Sequence, residues 1–110
     1  MPLHHVVMFK LAGGDGGASA TAIDPLIRTL AQTAPGTLTC ETAVDAGVRP
    51  GHPRSYHRLV HFTFADVDGF RAYLDSPEHL EFLAGVADIV ESIAAVQYDS
   101  VELQAAEPAA

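Results

Sequence analysis

From His4 to Lys10 the chain is a β-branched and apolar run, which as a strand sets His5, Val7 and Phe9 on one face and His4, Val6 and Met8 on the other. That pattern, rich in β-branched side chains, predicts a buried strand. The period then changes, and Ile23, Leu26, Ile27 and Leu30 fall on one face of a helix. Asp24 ahead of Pro25 is a candidate cap for its first turn, with a start nearer Thr21 as the alternative, and Pro35-Gly36 ends it. Alternation returns over Thr37 to Asp45, with Leu38, Cys40, Thr42 and Val44 on one side. It returns again over Tyr56 to Phe64, where Arg58, Val60, Phe62 and Phe64 oppose His57, Leu59, His61 and Thr63.

Asp66 is placed to cap a short helix whose inner stripe is Val67, Phe70 and Leu74, with Tyr73 at its flank. Ser76 then caps a second helix with Pro77 at its first position, where the missing N–H is not needed. The stripe Phe82, Leu83, Val86, Val90 and Ile93 carries this helix to about Ser92 and aims His79 inward. Ala94 to Leu103 reads as a fourth strand, and Gln104 to Ala110 as a polar, Ala-rich tail expected to be disordered. Gly13 to Ser19 and Gly47 to Ser55 are loops.

The order is β, α, β, β, a broken α, then β. Long connections set the first and third strands side by side. The expected fold is α+β: a ferredoxin-like, four-stranded antiparallel sheet with helices on one face, in a single domain over residues 1–103. Its uncovered face carries His4, Val6, Met8 and Leu59, too apolar for water. A homodimer with facing sheets follows.

Composition narrows the partners. The chain has 110 residues, 48% of them hydrophobic, which suits one globular domain. No apolar run is long enough for a membrane span, and the N-terminus lacks the order of a secretory signal. A net charge of −8 argues against nucleic acid and against an anionic membrane. Arg49, Arg54 and Arg58, with His52 and His57 among them, form a local basic stretch that is either solvated loop charge or a lure for a small anion. The lone Cys40 has no partner for an internal disulfide, which points to a reducing cytoplasm.

Most chemistry drops out. The glycine-rich loop lacks GK[ST] and the dinucleotide spacing. The six histidines do not converge: His4 and His5 point to opposite faces, and His57 and His61 sit roughly 13 Å apart along their strand. No metal site and no cofactor is expected. Cys40 lies on an apolar face where burial makes a thiol inert. General acid/base work remains. His79 at a helix N-terminus is either a core imidazole bonded to a backbone carbonyl or a neutral base. Tyr73 can orient a substrate oxygen or hold an oxyanion. His5 and Arg58, on strands paired as neighbours, are expected to border the same cavity, with Val7, Phe62 and Phe82 as its apolar walls.

Three segments carry a family resemblance: His4-His5-Val6-Val7-Met8-Phe9-Lys10, Leu59-Val60-His61-Phe62-Thr63-Phe64, and Ala72-Tyr73-Leu74-Asp75-Ser76-Pro77-Glu78-His79-Leu80. Together they resemble the stress-responsive dimeric α/β-barrel (Dabb) family over about residues 3 to 102, and the Pro-x-His spacing is the distinctive part. The family implies small homodimers with facing sheets. It includes olivetolic acid cyclase-type polyketide cyclases, a hydroxynitrile lyase and many members without an established activity. The resemblance implies that His79 is the catalytic base, Tyr73 its partner phenol and His5 a pocket histidine. Arg58 stands where the cyclase has another pocket histidine, which implies carboxylate binding in place of base chemistry.

The expectation is a cytoplasmic homodimer performing cofactor-free acid/base chemistry on a small hydrophobic or anionic carbonyl compound, as a polyketide cyclase or related lyase. The alternatives are a non-catalytic stress-response or ligand-binding dimer, and a cofactor-free monooxygenase of the related barrel. The latter usually relies on Trp or Asn, and this chain has neither. An open cavity lined by Tyr73, His79 and His5 would favour the enzyme; a closed dry core would favour the binding module. Whether the 47–55 loop gates that cavity is a further question.

Overall fold

A computed structural model describes residues 2–49, 52 and 55–99. Its elements are β1 (Leu3–Leu11), α1 (Ala18–Thr33), β2 (Thr37–Val44), β3 (Arg58–Phe64), α2 (Val67–Leu74), α3 (Pro77–Val86) and β4 (Val90–Asp99). The strands form one antiparallel sheet in the order β2-β3-β1-β4. β1 is central, with Val6 opposite His61 on one side and Val96 on the other. The ferredoxin-like expectation holds, and the expected tail from Gln104 to Ala110 lies outside the described residues.

Strict alternation on β1 and β3 sends every second side chain under the helices. Phe9, Leu11, Val60, Phe62 and Phe64 from the sheet meet Ile23, Ile27 and Leu30 of α1 and Tyr73, Phe82 and Val86 of α2 and α3. A Cβ at Gly85 would stand 3.2 Å from Leu26, so glycine permits α1 and α3 to approach this closely.

Four local expectations are corrected. The Ala-rich stretch before Thr21 already folds, so α1 starts at Ala18 and Pro25 sits inside it, with its exposed ring turned from the core. Asp24 therefore caps nothing and is left for Arg58. Helix α3 stops at Val86, and Val90 to Ser92 begin β4. β-branched Val90 and Ile93 fit a helical and an extended period alike, and pairing with β1 decides between them. On α2, Tyr73 is 2% exposed and Val67 43%, so the phenol is central to the buried stripe and not at its flank. Leu38 falls where the β2–β3 register slips and is exposed instead of sharing the inner face with Cys40.

Opposite the helices, the sheet presents His4, Val6, Met8, Leu59, Val96 and Tyr98 with no element of this chain over them among the described residues. Val96 is 53% exposed and Tyr98 43%. His4 stacks on Tyr98 at 4.7 Å, and its Nδ1 lies 2.8 Å from His61 Nε2. Among the described residues no helix is long and apolar enough to cross a membrane.

Candidate functional site

Between the helices and the β1–β4 half of the sheet lies a cavity of about 330 Å³. His5, Val7 and Phe9 form its floor, Phe70, Tyr73, Leu74, His79 and Phe82 its roof, and Ile93, Ala95 and Gln97 its β4 wall. Leu83 and Ile93, 40% and 46% exposed, mark an apolar rim.

His79 is placed by the turn between α2 and α3. The Ser76 hydroxyl accepts from the His79 amide at 3.2 Å and donates to the Tyr73 carbonyl at 2.6 Å, so the expected cap also ties the two helices together. The His79 ring packs on Tyr73 with centroids 4.8 Å apart. Its Nδ1 lies 2.9 Å from the Leu74 carbonyl, which can only accept, so Nδ1 carries the hydrogen. In the neutral ring Nε2 is then the bare nitrogen. The two readings of His79 are thus compatible: the backbone bond that satisfies a core imidazole also prepares a proton acceptor.

Tyr73 is packed among Phe62, Phe64 and Phe70 with centroids 5.2, 5.3 and 6.5 Å away. Burial, then the proximity of Cys40, holds its hydroxyl well above the usual phenol range, so it acts as a neutral donor. Cys40 itself is half-buried, and burial followed by the charge of Glu41 raises its thiol, which keeps it inert.

His5 is 7% exposed and lies against Phe70 at 4.9 Å and Phe62 at 5.8 Å. Burial, then nearby His79, pushes its pKa down to about 4, so the ring is neutral at ordinary pH. Its Nδ1 is 2.9 Å from Gln97 Nε2.

The structure brings His5, Val7, Tyr73, His79 and Phe82 to one cavity. Phe62 is fully buried and supports the Tyr73 and His5 rings from beneath, without forming a wall. Arg58 is the correction. Its guanidinium is bound by Asp24 at 2.7 Å, by Asp15 at 3.1 Å and by the His57 carbonyl at 2.9 Å. It faces a separate cleft of about 270 Å³ with Asp24, Arg28, Thr42 and Val44. The Asp24 and Asp15 hydrogen bonds raise its already high pKa, so Arg58 is a fixed cation that pins the glycine-rich loop and α1 to β3. It is 7% exposed, so it adds no charge to the 47–55 loop, of which Pro50, Gly51, Pro53 and Arg54 lie outside the described residues.

Gln97 was missed from the sequence. Its signal is a polar residue two positions beyond Ala95 on the inner face of β4. Among the described residues no three His, Cys, Asp or Glu side chains are grouped to hold a metal.

Residues 3–100 match the family model described as Stress responsive A/B Barrel Domain (Dabb). Among solved structures, a dimeric ferredoxin-like protein of unknown function from Thermobifida fusca is 27% identical, covers 89% of this chain and 90% of its own, and superposes with a TM-score of 0.72. A Dabb family protein from Mesorhizobium loti is 20% identical over 92% of this chain and 98% of its own, with a TM-score of 0.75. Hydroxynitrile lyase from Passiflora edulis shares the fold at 19% identity over 93% and 97% of the two chains, with a TM-score of 0.72. No curated protein matches the chain.

Proposed function

The chain belongs to the stress responsive A/B barrel family, and from that premise we propose that it is a cytoplasmic homodimer catalysing cofactor-free acid/base chemistry on a small carbonyl compound. The reaction is a ring closure of the polyketide-cyclase type or a lyase step. The observation that carries this reading is the open cavity lined by His5, Tyr73 and His79 together.

His79 Nε2 takes a proton from carbon alpha to the substrate carbonyl, and the electron pair moves to the carbonyl oxygen. The neutral Tyr73 hydroxyl steadies the enolate oxygen, and the apolar walls exclude water that would compete for it. The enolate carbon then attacks a second carbonyl, or expels a leaving group, and His79 returns the proton. Such assistance is worth roughly 10²- to 10⁴-fold. The dimer follows from the apolar sheet face and from the dimeric relatives.

Deuterium incorporation at the alpha carbon of a panel of aryl ketones in D₂O, followed by NMR, tests this. Exchange above background that falls at least 100-fold in His79→Ala is expected. Equal exchange in a folded His79→Ala protein ends the proposal. The second reading, a ligand-binding dimer, rests on the His79 bond to the Leu74 carbonyl. It is the outcome if ligands bind and no ketone exchanges.

A further inference from the structure

Both imidazoles of the cavity have an inner partner. Nδ1 of His79 donates to the Leu74 carbonyl, which leaves Nε2 an acceptor. Nδ1 of His5 faces the amide nitrogen of Gln97, a group that can only donate. His5 Nδ1 must therefore accept, and its hydrogen sits on Nε2. The two imidazoles are set to opposite roles by different partners, one a backbone carbonyl and the other a side chain on β4. Stacking on Phe62 and a tilted contact with Phe70 keep the His5 ring in this orientation.

Among the described residues the walls carry no Lys, Arg, Asp or Glu. Arg58, expected at this cavity, is bound to Asp15 and Asp24 in another cleft. A carboxylate entering here would give up its hydration and meet no opposite charge. A ketone or aldehyde gives up far less and finds a donor for its oxygen.

We propose that Gln97 is a positioning residue that holds His5 as a hydrogen-bond donor, and that the resulting donor–acceptor pair of His5 and His79 selects neutral carbonyl compounds over carboxylates. The inference rests on the proposed carbonyl chemistry and narrows its substrate class. The low pKa of His5 agrees, since burial keeps the ring from becoming the cation a carboxylate would need.

The test uses the full chain, labelled with ¹⁵N, at neutral pH. Long-range ¹H–¹⁵N correlations are expected to show His5 protonated at Nε2. Gln97→Glu, whose carboxylate only accepts, is expected to reverse the ring to the Nδ1–H form. Gln97→Leu is expected to leave a tautomer mixture. Gln97 is exposed on an edge strand, so both variants fold, and a merely structural role would not move the tautomer. In NMR titrations, acetophenone is expected to bind at least tenfold more tightly than benzoate of the same size. Gln97→Glu is expected to weaken acetophenone by about tenfold, the cost of one lost donor. An Nδ1–H tautomer in the wild type, benzoate binding as tightly as acetophenone, or no acetophenone binding overturns the proposal. The tautomer is read without any turnover, so its failure is distinct from a failure of His79-dependent exchange.

Discussion

Acidification reads the environment of His5 directly. Protonating this ring places a charge among Phe62, Phe70 and Tyr73 and removes the lone pair that accepts from Gln97. Its pKa in the folded protein is about 4, against the usual 6.5 that the unfolded chain regains. Between those values the unfolded state binds a proton that the folded state refuses. Stability is therefore fully present above pH 6.5 and is lost as pH falls through about 4. At about 1.4 kcal/mol per pH unit, the gap amounts to roughly 3 kcal/mol. Urea unfolding of wild type and His5→Gln at one fixed protomer concentration, from neutral pH to about 4, measures it. The wild type is expected to lose roughly 3 kcal/mol more than the variant over that range. Other titrating groups act in both proteins and cancel. Asp15, held below its usual 3.8 first by its hydrogen bond to Arg58, contributes stability that is lost only at still lower pH. Parallel loss in the two proteins would refute the argument that His5 is buried in the neutral form.

Other substitutions separate structure from chemistry. Arg58→Met is expected to cost about 2 kcal/mol in urea unfolding, less than for a sealed ion pair, because Asp15 and Asp24 are 38% and 41% exposed and return to water. The same variant is expected to leave acetophenone binding unchanged, since Arg58 does not line that cavity. Ser76→Ala removes the cap of α3 and is expected to cost about 1 kcal/mol by thermal melting. Phe82→Ala takes away a buried ring edge-on to Phe9 and is expected to cost about 3–5 kcal/mol. Val96→Lys places a charge on the uncovered sheet face, and light scattering is expected to find a monomer.

Much of the fold was legible because period-two alternation is a local property. Along β1 it sorted His5, Val7 and Phe9 inward and His4, Val6 and Met8 to the bare face, and the structure agrees. Ser76, Pro77 and His79 were equally readable, since a cap and the helical step lie within one turn. Segments that satisfied two periods were not. Val90 to Ser92 suited a helix as well as a strand, and only the ladder with β1 chose. Tyr73 reads as a flank because an eight-residue helix offers too few positions to orient its stripe.

The chain by itself determined which faces are apolar, where His79 points and that one sheet face needs a cover, because each depends on neighbours one to four residues apart. Tertiary structure alone decided what the polar side chains do. Arg58 reaches Asp15 and Asp24 across 43 and 34 residues, and His5 reaches Gln97 across 92. No local pattern encodes such pairs. They exist because the sheet order puts β4 beside β1 and lays α1 over β3, and that order is what converts Arg58 into a structural clamp and leaves the cavity to two imidazoles and a phenol.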